Sequence, residues 1–310
     1  MCDVAGDSLR HCALRANTDD AMLDMILSQA VNGLVLGFLY VLIAIGLSII
    51  FGMLGIVNFA HGAFFAIGAY LAYALNKEFG WMAALLAPLI TGLIGVVVEM
   101  VLIRWIYGKE PLLGLILTFA LALFVEAILR LLFGGAPVPF AAPKFLAGFV
   151  EYGPILLTKY RMFVLVVTVF VLVAFWAFLA YTPYGRVIRA GSRDPEMVGL
   201  LGINLPIVFS GVFGIGCLLA GLGGMLAAPL WTLQPSMAAG AIMPAFVIVT
   251  IGGLGSYSGA IIAGLLVGIT TAMTIQFQPE WSGAAMYILM AAILLVRPRG
   301  LFGEKWERFE

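Results

Sequence analysis

Runs of about twenty consecutive apolar residues recur along almost the whole of this chain, and no other feature narrows its fold so far. In lipid a backbone finds no hydrogen-bond partners outside itself, so a run of that length crosses a bilayer as a helix. Strands of a membrane barrel would alternate apolar with polar residues, and these runs do not. Of 310 residues, 63% are hydrophobic and 10% charged, which leaves too little polar surface to cover a soluble globule. The 37 glycines are scattered through the runs instead of gathering in linkers, as close helix packing in lipid requires. The expected fold class is all-α: a polytopic transmembrane helical bundle of about 8–10 spans, some of them short or re-entrant.

Spans are expected at 26–50, 56–75, 81–103, 112–133, 161–182, 206–230, 241–253, 257–277 and 283–296. The segment 241–253 is too short to cross alone and ends in GGLGSYSG, so a half-helix with its frayed backbone covered by protein is expected there. Basic residues cluster near span ends at Arg104 and Lys109, at Arg186, Arg189 and Arg193, and at Arg297, Arg299, Lys305 and Arg308. These ends are expected to face the cytoplasm, the carboxy terminus with them. The charge-poor loop 134–160 then falls outside, as do NKEFGW (76–81) and QFQPEWSG (276–283). Four passes, a crossover and four passes of opposite sense is the order expected of an inverted repeat. GMLG at 52–55 and GGLG at 252–255 are its only echo in the sequence.

Residues 1–24 carry five acidic and two basic side chains, without the basic start and apolar core of a secretory signal. They are expected to be a disordered tail, Met22 and Met25 offering alternative starts. Residues 25–300 are expected to form a single transmembrane domain and 301–310 a cytoplasmic tail. Cys2, Cys12 and Cys217 have no metal-ligand spacing, and Cys217 reads as a small packing residue. No metal, cofactor or nucleic-acid partner is expected.

The most informative polar stretch is YTPYGRVIRAGSRDPEMVGLLGIN, residues 181–204. Asp194 followed by Pro195 is an N-cap with proline in the first helical position, and Gly202 is a stop, so a helix of about two turns is expected over 195–201. So short a helix cannot bury Met197, Val198, Leu200 and Leu201 by itself. It either lies on its own bundle or docks a cytoplasmic partner, with Arg186, Arg189 and Arg193 around it.

GRVIRAGSRDPEMVGLLGIN resembles the coupling segment of permease subunits from ABC importers for branched-chain amino acids, the LivH-type family. Residues 29–71, QAVNGLVLGFLYVLIAIGLSIIFGMLGIVNFAHGAFFAIGAYL, are similar to that family's amino-terminal signature, and GGLGSYSGAIIAGLLVGI (252–269) to its carboxy-terminal one. The resemblance covers roughly residues 25–300. It implies a bacterial inner-membrane importer with a second permease subunit, two cytoplasmic ATPases and an extracytoplasmic binding protein. Within it, residues 185–204 would receive the ATPase motion through Arg186, Arg189, Arg193, Asp194, Glu196, Met197, Leu200, Leu201 and Gly202. Val198 stands where alanine is expected. The chain itself lacks a Gly-rich phosphate loop, so ATP hydrolysis belongs to another polypeptide.

Candidates for the solute path or its gate are the polar residues inside the spans: Gln29 and Asn32 on one face of the first, Asn58 and His61 at the start of the second, and Thr118 in the fourth. Asn58 and His61 have a plainer reading, in which Asn58 caps its helix and His61 bonds a neighbouring carbonyl. Glu126 and Arg130 are spaced to pair on one helix, and Glu99 to be neutralised by Arg104. A path lined by small, apolar and a few neutral polar groups suits a net-neutral solute with an apolar side chain, such as a branched-chain amino acid. The alternative is a self-sufficient channel or secondary transporter for a small neutral solute such as urea or an amide. A membrane enzyme is disfavoured, because no paired acids, histidine cluster or nucleophile constellation converges in the spans.

Overall fold

A computed structural model describes residues 4–152 and 155–303. Lys305 and Arg308 of the last basic cluster, the tail beyond 303 and Cys2 lie outside these residues, as do the side chains of His11 and Cys12.

The helices are α1 (Val4–Leu54), α2 (His61–Phe79), α3 (Trp81–Ala84), α4 (Ala87–Val101), α5 (Pro111–Phe133), α6 (Lys159–Tyr181), α7 (Pro183–Gly191), α8 (Pro195–Leu200), α9 (Leu205–Ala227), α10 (Met237–Gly252), α11 (Tyr257–Phe277) and α12 (Ser282–Val296). Between α5 and α6 the loop folds into an antiparallel hairpin of β1 (Phe149–Tyr152) and β2 (Ile155–Thr158). Among the described residues, seven helical stretches are long and apolar enough to cross a membrane, with α10 a shorter apolar one. The chain is a polytopic all-α membrane protein.

Local chemistry explains most boundaries. Proline opens α5, α7 and α8 and sits in the first turn of α4 and α9, where a missing N–H costs nothing. The expected span 81–103 is divided into α3 and α4 because the helix restarts at Pro88. The helical backbone of α1 begins at Val4, inside the segment expected as a disordered tail, and no proline interrupts it; its portion able to cross a membrane begins at Met22.

The expected second span, 56–75, starts in the wrong place. His61 Nε2 donates to the Ile43 carbonyl at 3.0 Å, and α1 continues eleven residues beyond Ile43, about 16 Å at 1.5 Å per residue. Residues 55–60 therefore climb back alongside α1 without helical structure, and α2 begins partway along the depth of the bundle. Gly55, at φ +67°, makes the reversal that ends α1, and its Cβ position faces open space; it is a turn residue, not a packing one. α10 is the counterpart. Its first turns lie against the first turn of α2, where a Cβ on Gly62 would sit 2.3 Å from the Ala238 carbonyl oxygen. It ends at Gly252, where Leu301 N–H and Phe302 N–H donate to the Ile251 and Gly252 carbonyls. The frayed end expected at 241–253 is thus covered by the chain returning after α12.

Packing is reciprocal between the two halves. α1 packs on α11 as α9 packs on α4, α2 on α9 as α10 on α1, and α2 on α5 as α10 on α12. Exchanging the first four spans for the last four maps these pairs onto one another, the reciprocity that an internal repeat produces. The α1–α11 seam is glycine against glycine: a Cβ on Gly268 would lie 2.3 Å from Gly37 Cα. The α2–α9 seam is the same, with Gly68 2.3 Å from Gly221 Cα by that measure. Backbones this close gain dispersion contacts that lipid cannot supply. Cys217 is buried, its side chain in the notch left by Gly95, as expected of a packing residue. Outside the core, α5, α6 and α12 expose Phe119, Phe124, Leu131, Phe170 and Leu295, an apolar rim.

Candidate functional site

α2 and α10 both begin inside the bundle, side by side, and run to opposite ends. Neither has a side-chain cap on its first turn. Discontinuous helices of this kind place unpaired N–H groups and their positive dipole ends within the membrane, where they bind polar solute groups in transporters.

Asn58 lies in the unwound segment leading into α2. It is buried, and neither its oxygen nor its nitrogen has a hydrogen-bond partner among the described residues. The expectation that it caps α2 therefore fails: its carbonyl takes the His61 N–H at 3.3 Å in a backbone turn, while the side chain points elsewhere. His61 does bond a neighbouring carbonyl, that of Ile43, and its Nδ1 is left as an unused acceptor. Thr118 on α5 holds the unwound segment in place. Its hydroxyl accepts from Phe59 N–H at 3.2 Å and donates to the Gly114 carbonyl at 2.9 Å. Asn58 and Thr118 share one crevice with Ile56 and Phe213, too tight to admit a water molecule.

Gln29 and Asn32 are not part of this group. They sit near the opposite end of α1 in a polar chain: Arg161 donates to Asn32, Asn32 donates to Gln29 at 3.0 Å, and Gln29 donates to Gln276 at 3.3 Å. Arg161 and Gln276 carry no local signal that would have linked them to Asn32 and Gln29 in the sequence, being 129 and 247 residues away from those partners.

At the end of the bundle that carries Arg104 and Arg186, α7 and α8 form an elbow. Thr182 caps α7 by accepting from Gly185 N–H at 3.0 Å, and Asp194 caps α8 by accepting from Met197 N–H at 2.9 Å. Gly202, at φ +80°, ends the turn after α8. Of the four apolar side chains on or beside α8, only Val198 is buried against the bundle, whereas Met197, Leu200 and Leu201 are 56%, 82% and 74% exposed. Arg186, Arg189, Arg193, Asp194 and Glu196 are exposed around them.

The same end contains a buried carboxylate. Glu99 is fully buried and receives Arg104 Nε at 3.4 Å and Nη2 at 3.3 Å, Tyr107 Oη at 2.8 Å and Ser210 Oγ at 2.5 Å. Ser210 in turn accepts from Arg104 at 2.7 Å. Burial, and then the hydrogen bond to Glu99, push the Tyr107 hydroxyl well above its ordinary pKa, so it stays a donor. The network ties the end of α4 to α9. Glu126 and Arg130 pair at 3.0 Å on a more exposed face of α5, as their spacing implied.

No group of three or more metal-ligating side chains gathers among the described residues. A polytopic membrane bundle with reciprocal packing between its halves, two discontinuous helices meeting at its centre and an exposed elbow at one end has the architecture of a transport permease. Comparison with known proteins makes the class specific: the family model for the branched-chain amino acid transport system permease component matches residues 29–294, and the chain belongs to that family. It is 30% identical over 293 residues to the high-affinity branched-chain amino acid transport system permease LivH of Escherichia coli K12, covering 89% of this chain and 95% of that one. BraD of Pseudomonas aeruginosa, a permease with the same description, is 30% identical with the same coverage. LivM of Salmonella typhimurium is 25% identical over 308 residues, covering 89% of this chain and 71% of LivM.

Proposed function

We propose that this chain is the transmembrane permease subunit of an ABC importer for branched-chain or related amino acids, working with a second permease, two cytoplasmic ATPases and an extracytoplasmic binding protein. The observation that carries the proposal is α8: three large apolar side chains held out at an end rimmed by arginines, on and just after a helix capped by Asp194. The relatives' names support the solute class, and similarity to both LivH and LivM supports a pair of different permeases. On this reading the arginine-bearing end, with the carboxy terminus, faces the cytoplasm of a bacterial inner membrane. Gentle purification of the chain from its native membrane, with mass spectrometry of what accompanies it, is expected to recover a second permease in equal proportion to it and two ATPase subunits per copy. Recovery as a lone homo-oligomer that passes urea or an amide in liposomes would favour the channel instead.

The solute path is assigned to Asn58 and Thr118 beside the start of α2, with His61 above them and Gln29 and Asn32 toward the outer mouth. The crevice at Asn58 is closed, which suits a gate at rest. A buried amide without partners costs about 1–3 kcal/mol, a cost with no structural return unless another state uses it. Asn58→Ala is therefore expected to keep thermal stability at or above that of the parent, while uptake in reconstituted importer falls roughly fivefold, the worth of about one hydrogen bond. Unchanged uptake by a folded Asn58→Ala protein would remove this residue from the path. His61→Ala, in contrast, loses the bond to Ile43 and is expected to lower stability.

A further inference from the structure

At the basic end, α1, α6, α7 and the start of α11 enclose an open-mouthed cavity of about 1170 Å³. Arg186, Arg189 and Arg193 line it, and no carboxylate does among the described residues. Among the described residues no acidic side chain forms an ion pair with Arg186 or Arg189. Arg189 spends one N–H on the Ala180 carbonyl at 3.4 Å, leaving most of its five donors available. Ser48 of α1 also lines it, 2% exposed, its hydroxyl without a partner among the described residues. Helix α11, of 21 residues, begins in its lining, so the positive end of its dipole adds to the arginine field. Trp176, 49% exposed, lines the mouth, the place an amphipathic ring takes at a membrane interface.

A cavity with the guanidiniums of Arg186 and Arg189, a buried hydroxyl unpartnered among the described residues and a helix start is built for an oxyanion with several acceptor oxygens. A single carboxylate offers two oxygens and would leave most of the donors unpaired, whereas phosphate is tetrahedral and meets them from several sides. We infer that this cavity binds a phosphate group, supplied by an anionic lipid headgroup or by phosphate in solution, through Arg186, Arg189 and Ser48. Met197, Leu200 and Leu201 do not line it, so the site is separate from the exposed face of α8. Occupied, it would bridge α7 to α1 and α11 and stiffen the elbow against the bundle.

The test is thermal unfolding of the full chain, purified in dodecyl maltoside, titrated with dihexanoyl phosphatidylglycerol, dihexanoyl phosphatidylcholine or sodium phosphate, with sodium chloride at matched ionic strength as the reference. Phosphatidylglycerol is expected to raise Tm saturably. Phosphatidylcholine is not, because the guanidiniums repel its choline. A rise with phosphatidylglycerol alone identifies a lipid headgroup as the source, and a rise with sodium phosphate as well identifies a site open to free phosphate. Arg186→Gln with Arg189→Gln is expected to raise the midpoint concentration at least tenfold, and Ser48→Ala a few-fold. Equal responses to the two lipids, an unchanged midpoint in the double arginine variant, or no response to any probe would overturn the assignment.

Discussion

Arg104→Ala is expected to destabilise the protein by about 3–5 kcal/mol, the cost of stranding a buried charge. The effect is large because of an asymmetry in the pair: Glu99 is 0% exposed and Arg104 39%. If arginine is removed, the carboxylate is left in the interior with only the Ser210 and Tyr107 hydroxyls to answer its charge. If the carboxylate is removed instead, the arginine can turn its head to water. Glu99→Gln should therefore cost less, about 1–2 kcal/mol, since the amide oxygen can still accept from Tyr107 or Ser210. Combining the two should cost less than Arg104→Ala alone, because no buried charge remains. Residual folded protein after graded heating in detergent orders the three variants. Equal losses for Arg104→Ala and Glu99→Gln would mean that Glu99 is not held as a charge.

This network also marks how far the sequence could be read. Glu99 and Arg104 are five apart at the end of one span, so their pairing was legible, but Ser210 lies 111 residues from Glu99 and joins only when α9 packs on α4. The same division runs through the fold. The spans, the Asp194 cap, the Gly202 stop and the Glu126–Arg130 pair depend on neighbours within a turn or two, and each was readable. The start of α2 was not. Residues 56–60 are as apolar as a helix, and what keeps them unwound is Thr118 on α5 and the return alongside α1. Asn58 stands out in the sequence as a polar residue among apolar ones, yet its expected partner, the end of its own helix, is absent because that helix begins later. Gln29 and Asn32 were grouped with it on polarity alone, while the contacts that place them belong to α6 and α11. Val198, read as a departure in a docking helix, faces the bundle and leaves the exposed side of α8 unaltered.

That exposed side makes the second large effect a test of coupling. Leu200→Glu with Leu201→Glu is expected to abolish solute uptake in the reconstituted importer while the permease remains inserted and folded. Both side chains are more than two-thirds exposed, so the substitution should shift stability by no more than about 0.5 kcal/mol. In a partner's apolar groove the same change buries two unpaired carboxylates, each costing several kcal/mol, enough to weaken docking at least a thousandfold. The ATPase subunits, released from the elbow, should lose stimulation by solute-loaded binding protein and retain their basal rate. The companion substitution Val198→Ala separates docking from simple disturbance of α8: it trims a side chain facing the bundle, so it should lower stability modestly while leaving uptake per folded molecule unchanged. Full uptake by the double glutamate variant would mean that α8 is an interfacial helix lying on its own bundle, and that the drive for transport enters elsewhere.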